Sequence, residues 1–493
     1  MQELNRSTAR SAKSYPEKIL QYGEGNFLRA FVDWMVDRMN KEAGFGAGVT
    51  VVQPIAQGLA DMLNDQDGLY HLYLQGIKDG KPVSEVTLVD CINRALNPYS
   101  DFDDYMRIAE NPELRFIISN TTEAGIAYDE ADVLDMRPQN SFPAKVTAFL
   151  YKRYQVFSGA ADKGLIVICC ELIEHNADML KKYVIQHAQR WDLEQSFVDW
   201  INNANVFCST LVDRIVPGYP KDKIDQIQNE LGYNDKLVVE GEYFHVWVIE
   251  APEWVGKEFP AKQAGLNVIF TKDMTAYRDR KVRILNGAHT SSFAVSLLYG
   301  VDTVQQSIEH DVISRFMKQV VFDEVCPNIN LPQSELREFA EEILERFYNP
   351  YIKHFWKSIA LNSMSKWETR VLPSLLDFHK RTGKLPTRII FSLAALIAFY
   401  KGDYQGKLTP VQDNDDIIHL YQGAYSGFSG DYSSCELVVK TVLAYKNNWK
   451  LDLNTVDGLT DLTAKYLYAI NKIGIRDAVD KLLHSDAELL KLS

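Results

Sequence analysis

The sequence predicts an α/β protein: a doubly wound parallel sheet in the N-terminal part, followed by a mainly α-helical C-terminal part. In the first half, short β-rich runs alternate with helical patterns, as in parallel sheets with helical crossovers. A glycine turn, Gly23-Glu-Gly25, follows the first of these runs. After about residue 275 the strand signals thin out and long amphipathic patterns take over. Together these observations indicate a Rossmann-like domain over residues 1–275 and a helical domain over residues 276–493.

The strands are predicted from short apolar, β-branched runs of the kind buried in parallel sheets. Residues 69–90 predict a hairpin, because an Asp-Gly turn separates two alternating runs. The predicted strands are 18–22, 49–52, 116–119, 165–169, 243–249 and 267–270, and the predicted N-terminal helices are 27–40, 101–110, 143–157 and 177–190. Further helices are predicted at 276–298, 303–325, 334–347, 352–363, 386–400, 434–447 and 461–485.

Composition narrows the class of protein. The 493-residue chain is 46% apolar and 24% charged, which is ordinary for a globular protein with a core in each half. Its formal charge of −13 argues against a nucleic-acid partner. No secretory signal is recognisable, and the longest apolar stretch, Ile389 to Tyr400, is too short to span a bilayer. Six cysteines without metal-site spacing indicate reduced thiols, so we expect a cytoplasmic protein without a membrane partner.

The run from Lys281 to His289 has the strongest chemical signal. If it is α-helical, Lys281, Asn286 and His289 fall within an arc of roughly 140° and can face one cleft. A lysine, an amide and an imidazole on one face suit proton transfer at a carbonyl or alcohol carbon. The alternative is a helix that carries three unrelated polar residues.

The second signal is the strand, glycine turn and helix start between Lys18 and Ala30. Glycine lets the backbone approach a dinucleotide pyrophosphate, and the helix N-terminus offers free N–H groups. Leu28 replaces the third glycine of the usual fingerprint, so a plain tight turn is also consistent with this segment.

Together these two segments resemble one family, the mannitol dehydrogenase family of long-chain polyol and sugar-acid dehydrogenases. The family carries Gly-x-Gly-x-Phe-x-Arg, here residues 23–29, and Lys-x4-Asn-x2-His, here residues 281–289. The stretches 22–34, 119–125, 207–214 and 349–354 are similar to its hexuronate-reducing branch. The resemblance implies two domains with the active site between them, and an NAD-dependent, metal-free interconversion of D-tagaturonate and D-altronate in hexuronate catabolism.

The resemblance also implies residue roles. Lys281 would be the acid/base, Asn286 and Asn176 would hold the substrate oxygen, and His289 would touch substrate and orient the lysine. Asn176 could instead cap the helix that begins near Ala177. The implied cofactor-binding residues are Ile19, Leu20, Gln21, Tyr22, Gly23, Glu24, Gly25, Asn26, Phe27, Leu28, Arg29, Ala30, Asn120, Thr121 and Glu123, although residues 120–123 could form only a hydrogen-bonded turn.

A sugar-acid substrate needs cations for its carboxylate. Asn349, His354, Lys366 and Arg370 match positions that line the family's substrate pocket. Arginine binds carboxylates through two parallel hydrogen bonds, which favours Arg370 as the anion clamp. The alternative is a solvated helix face.

Cofactor and substrate choice stay partly open. The second strand ends Val52-Gln53-Pro54, which offers neither an acid for the NAD ribose nor a cation for a 2′-phosphate; the resemblance implies NAD. A fructuronate reductase or a mannitol-type polyol dehydrogenase is the nearest alternative activity, and a non-catalytic NAD-binding regulator is a distant one. The sequence does not indicate an oligomeric state.

Overall fold

The computed structural model describes residues 1–11, 14–78, 80–122, 124–351 and 354–492. The chain forms two compact units, one of residues 1–76 and 81–274 and the other of residues 77–80 and 275–493. The first unit contains parallel strands with helices, and the second is mainly helical, so the predicted fold class is confirmed. Within the described ranges, no helix combines the length and apolar character that crossing a bilayer requires.

A six-stranded parallel sheet is the centre of the first unit. Numbered along the chain, its strands are β1 Glu17–Tyr22, β2 Gly48–Val52, β3 Ile92–Leu96, β4 Phe116–Ser119, β5 Ile166–Cys169 and β6 Val206–Cys208. They lie in the order β3-β2-β1-β4-β5-β6, with the strand order reversing beside β1. This reversal is the switch point at which doubly wound sheets bind ligands.

Both faces of this sheet are buried, which explains why its strands are almost continuously apolar. Ile19 packs into one hydrophobic cluster with Val49, whereas Leu20, its neighbour along β1, packs into the other with Val52. The helices of this unit are Asn26–Leu28, a π-helical Arg29–Asp33, Trp34–Glu42, Ala60–Asp65, Phe102–Arg107, Phe142–Val156, Asn176–Arg190, Gln195–Ala204, Ile224–Leu231 and Val255–Glu258, with short 3-10 turns at Ile108–Glu110 and Ala161–Lys163.

Smaller sheets accompany the main one. Tyr70–Lys78 lies between Val239–Glu242 and Lys81–Val89, which confirms the predicted hairpin strands; Asp79 at the turn lies outside the described residues. Val246–Glu250 pairs with Thr210–Asp213 and Val268–Thr271. Two-residue pairs join Gln2–Glu3 to Tyr233–Asn234 and Asp403–Tyr404 to Lys407–Leu408.

The second unit is built around the apolar helix Thr387–Tyr400, whose residues from Ile389 onward are all buried. The other helices of the unit are Thr275–Arg280, a π-helical Lys281–Asn286, Gly287–Tyr299, Val304–Glu309, Asp311–Gln319, a π-helical Val320–Val325, Gln333–Phe347, Trp356–Ile359, Ser363–Arg370, Leu372–Thr382, Asp415–Ala424, Tyr432–Leu443, Lys446–Trp449, Leu459–Ile473, Ile475–His484 and Asp486–Leu490, with 3-10 turns at Cys326–Asn328 and Leu453–Thr455.

Four predicted C-terminal helices are wrong in extent. Those predicted as 303–325 and 434–447 are interrupted, at His310 and at residues 444–445. In the described part of the segment predicted as 352–363, the helical residues are Trp356–Ile359 and Ser363, which begins the next helix; Phe355 forms a β-bridge with Thr303 that holds the chain extended before Trp356. The helix predicted as 461–485 ends at Ile473, where Gly474 adopts a φ of +84°, and a new helix begins at Ile475.

Candidate functional site

The glycine turn lies at the carboxyl end of β1 and fits an anionic ligand. Gly23 has a φ of +115°, and a Cβ there would lie 2.7 Å from the carbonyl oxygen of Asn120, so only glycine is accommodated. A Cβ on Gly25 would meet nothing within 4 Å, so open space lies in front of the helix that starts at Asn26. The N–H groups and dipole of that helix start favour negative charge, as a dinucleotide pyrophosphate requires.

The residues around this turn differ in what they offer a ligand. Ile19, Leu20, Gln21 and Tyr22 are fully buried in β1, and the Gln21 side chain donates to the Gly23 carbonyl at 3.1 Å. Leu28 and Ala30 are also buried, whereas Gly25, Asn26 and Phe27 are at least partly exposed. Most of the residues between 19 and 30 that were predicted to bind cofactor are therefore buried, and a smaller number are accessible to a ligand.

The helix after the turn contains a π-helical segment, Arg29–Asp33. A π turn disrupts the regular α hydrogen bonding, and buried carbonyls released in this way need other donors. The hydroxyl of Tyr70 donates to the Arg29 carbonyl at 2.7 Å, and the guanidinium of Arg214 donates to the Ala30 carbonyl at 2.6 Å. Both donors are distant in sequence and were not predicted.

Arg29 was predicted to bind cofactor, but its buried side chain is directed to the protein itself. The guanidinium donates to the carbonyls of Glu24 and Leu237 and to Oδ1 of Asn26. Burial lowers its pKa. In this arrangement the buried Arg29 side chain stabilises the glycine turn through hydrogen bonds.

The carboxyl ends of β4 and β5 share a hydrogen-bond network centred on Glu171. Its carboxylate accepts from the Thr121 N–H and hydroxyl, both at 3.0 Å, and from the Ser119 hydroxyl at 3.1 Å. Burial raises the pKa of Glu171 despite these bonds. Asn120 donates to the Cys170 carbonyl, so the structure places both predicted residues at this sheet edge; Glu123 lies outside the described residues. Glu171 was not predicted, although an acid directly after a buried strand was a signal for it.

Asn176 is a buried organising residue. Its Nδ2 donates to the carbonyls of Cys169, Glu171 and Thr210, and its Oδ1 accepts from the N–H groups of Thr210 and Ala177. The amide has no remaining donor for a substrate oxygen. The alternative role of Asn176 as a helix cap fits in part, because the Ala177 N–H that its Oδ1 accepts belongs to the first helical turn.

In the second unit, the run Lys281–Asn286 is π-helical rather than α-helical, so the predicted spacing of 100° per residue is wrong there. In an α-helix, Lys281 and Asn286 would be roughly 140° apart. A π turn closes through i→i+5 hydrogen bonds, so residues five apart come close to alignment. The π turn therefore brings the lysine and the amide closer to one face than the prediction required.

Ion pairs and one glycine position this turn. Arg280 pairs with Glu335 at 2.7 Å, and Arg283 pairs with Asp377 at 2.5 Å. A Cβ on Gly287 would lie 3.1 Å from the Arg370 carbonyl oxygen, so the glycine permits a close approach to the helix Ser363–Arg370.

His289 follows the π turn and is enclosed by rings. Its ring centroid lies 4.3 Å from that of Phe347, 5.0 Å from that of His354 and 6.0 Å from that of Trp356. Its Nε2 is buried without a hydrogen-bond partner in the described part of the chain. Burial, and then the positive charges of His354, Arg346 and Arg370, lower the pKa of His289 well below its usual value. The imidazole is therefore neutral near pH 7.

Arg370 is the best placed of the predicted clamp residues. Burial alone lowers its pKa, with no nearby acid opposing the shift in the described ranges. Lys366 donates instead to the Ile359 carbonyl at 3.0 Å, and Asn349 accepts the Tyr351 N–H at 3.0 Å. Through His289, the structure brings His354 and Arg370 together with the π turn.

Metal-ligating groups do not cluster at either place. Among the residues that the structure describes, no group of three or more His, Cys, Asp and Glu side chains could hold a metal ion. All six cysteines are free and buried.

Both parts of the chain match one family. Residues 17–263 match the mannitol dehydrogenase Rossmann domain and residues 273–471 the mannitol dehydrogenase C-terminal domain. The chain belongs to the mannitol dehydrogenase family. Its fold is similar to that of a substrate-free D-sorbitol dehydrogenase, with a TM-score of 0.79 at 21% identity over 97% of this chain and 100% of the other. Pseudomonas fluorescens mannitol 2-dehydrogenase, solved as a ternary complex with NAD and D-mannitol, gives 0.65 at 21% identity over 98% and 100%.

Closer relatives in sequence carry one name. An altronate oxidoreductase of Bacillus subtilis (strain 168) is 46% identical over 98% of this chain and 98% of its own length. An altronate oxidoreductase of Phocaeicola vulgatus is 46% identical, and one of Escherichia coli O6:K15:H31 is 44% identical, each over 98% of this chain and 100% of its own length. The similarity therefore spans both units.

The hydroxyl of Tyr70 is expected to stabilise the π turn. Tyr70→Phe leaves the buried Arg29 carbonyl without this donor, so the free energy of unfolding should fall by about 1–3 kcal/mol in urea denaturation. Tyr73→Phe is the matched control on the same strand, because the Tyr73 hydroxyl has no hydrogen bond in the described residues. Equal losses in the two variants would contradict the assigned role.

Asp33, in the same π segment, should make stability depend on pH. Burial raises its pKa from 3.8 to about 7, above the value of the unfolded chain. The folded protein therefore binds a proton that the unfolded chain releases, and this stabilisation is lost as pH rises from about 4 to 7. Asp33→Asn should be more stabilising, relative to the wild type, at pH 8 than at pH 5. A stability difference between the two proteins that stays constant from pH 5 to 8 would argue against this cause.

Proposed function

We propose that this protein is an NAD-dependent oxidoreductase that interconverts D-tagaturonate and D-altronate in hexuronate catabolism. Two observations support the proposal. Lys281 and Asn286 lie in a π turn that His289 follows, with Arg346 and Arg370 acting on His289. The chain is also 44–46% identical to altronate oxidoreductases over 98% of its length. The proposed substrate is a sugar acid, whose carboxylate such arginines would attract.

The first unit would hold the dinucleotide. The helix start at Asn26 and the glycine turn suit its pyrophosphate, and the edge at Asn120 and Thr121, fixed by Glu171, lies at the carboxyl end of the neighbouring strand. Bound NADH supplies the hydride. Asn176 would act as a positioning residue for this edge, because its amide is saturated by main-chain groups.

The second unit would supply the proton and hold the substrate. In the reduction direction, Lys281 donates a proton to the oxygen that becomes the new hydroxyl, and in oxidation it accepts that proton. Asn286, brought towards the lysine's face by the π turn, donates a hydrogen bond to the same oxygen. Neutral His289 helps to orient the lysine, and Arg370 binds the carboxylate.

Free, buried cysteines are typical of reducing compartments, and we include a cytoplasmic location in the proposal.

Lys281→Ala tests the proton role. Turnover of tagaturonate should fall about 10²- to 10⁴-fold, since a general acid is lost, while the Kd for NADH stays nearly unchanged. The measurements are NADH oxidation by absorbance and NADH binding by fluorescence. Lys272→Ala, an exposed lysine shortly before the run, is the matched control. A kcat within a few-fold of the wild type would reject the assignment.

Arg370→Gln tests the carboxylate clamp. Loss of a charged hydrogen bond of about 1.5–3 kcal/mol should raise KM for tagaturonate roughly 10- to 100-fold, with a smaller change in kcat. Turnover should be compared across tagaturonate, fructuronate and uncharged fructose. The variant should lose selectivity for the two acids over fructose. If wild-type enzyme already prefers fructose, the clamp and the sugar-acid assignment are both wrong.

A further inference from the structure

The side chain of Glu24, in the middle of the glycine turn, is a buried carboxylate with an unused oxygen. The residue is only 8% exposed, and its Oε2 has no hydrogen-bond partner among the described residues. The N–H groups of Glu24 itself and of Leu59 hydrogen-bond to the carboxylate. A buried, incompletely bonded carboxylate is costly, and a ligand hydroxyl would supply the missing bond.

This carboxylate lies at the end of β2. A Cβ on Gly58 would lie 2.4 Å from Oε1 of Glu24 and 2.5 Å from Cδ of Gln53, the residue that follows β2. NAD-binding sheets normally place an acid at this strand end, where it bonds the adenosine ribose 2′-hydroxyl. Glu24 reaches the same place from the turn.

Gln53 cannot take over that role, because its amide is already used. Nε2 donates to the carbonyls of Ile55 and Ala56, both at 2.9 Å, and Oε1 accepts the Ala60 N–H at 3.3 Å. No lysine or arginine occurs between Gln53 and Ala60 to receive a 2′-phosphate. The nearest cation acting on Glu24 is Arg29, which is committed to main-chain carbonyls.

We propose that Glu24 selects NAD over NADP, by accepting a hydrogen bond from the adenosine ribose 2′-hydroxyl and by repelling a 2′-phosphate. The inference rests on the proposed dinucleotide function. Gly58, which lies against the carboxylate, belongs to the exposed stretch 55–58, so the carboxylate is close to the protein surface. Glu24 thereby replaces the acid that is missing after β2.

The test is direct binding of NADH and NADPH to the full-length protein, measured by nicotinamide fluorescence and calorimetry without substrate. In wild type, NADH should bind more tightly than NADPH. Glu24→Gln keeps the size but removes the charge, and should reduce the ratio of the NADPH Kd to the NADH Kd at least tenfold. Glu42→Gln removes an exposed acid at the end of the following helix and should leave the ratio unchanged.

A second measurement uses only wild-type protein, so its result does not depend on whether a variant folds. Wild-type protein should bind the 2′-deoxyribosyl analogue of NADH about tenfold or more weakly than NADH, because the analogue lacks the bonding hydroxyl. Equal affinity for the two, or an unchanged ratio in Glu24→Gln, would overturn the inference while leaving dinucleotide binding intact. Wild-type protein that binds neither NADH nor NADPH would instead overturn the proposed function as well.

Discussion

The main-chain hydrogen bonds that the π segment Arg29–Asp33 leaves unmade constrain the structure around the glycine turn. In the first unit, the carbonyls of Arg29 and Ala30 are satisfied by Tyr70 from a hairpin strand and by Arg214 from the stretch after β6. The helical segment that follows the glycine turn is therefore held by residues from two distant parts of the chain. A buried carbonyl without a donor would cost about as much as a lost hydrogen bond, so these partners are needed for the turn to keep its shape.

Two residues of the stretch Phe207–Arg214 supply hydrogen bonds to buried groups of other segments. Thr210 binds both ends of the Asn176 amide, and four residues later Arg214 closes the π turn. One short strand thus connects the edge of β5 with the helix after β1. In this stretch, Thr210 and Arg214 therefore support the segments around the candidate site through hydrogen bonds.

Sequence reasoning succeeded where a pattern is local. The buried strands β1, β2, β4 and β5 were predicted to within a residue or two, because parallel strands covered on both faces are continuously apolar. It failed where distant contacts decide: the bridge of Thr303 to Phe355 interrupts a predicted helix. The same holds for the site. The motif in Lys281–His289 can be recognised from the sequence, but no local signal distinguishes an α turn from a π turn. Likewise, no local signal shows that main-chain groups saturate the Asn176 amide.

The neutral state of His289 has a consequence for how the pocket works. Burial lowers the pKa of His354 as well, so near neutral pH the positive charge around His289 comes from Arg346 and Arg370, whose guanidinium groups keep their protons throughout the physiological range. Under the proposed function, the cations that would attract an acidic sugar are therefore distinct from the amine that would exchange the proton during turnover. Binding of the anion would then not require that amine to hold its charge.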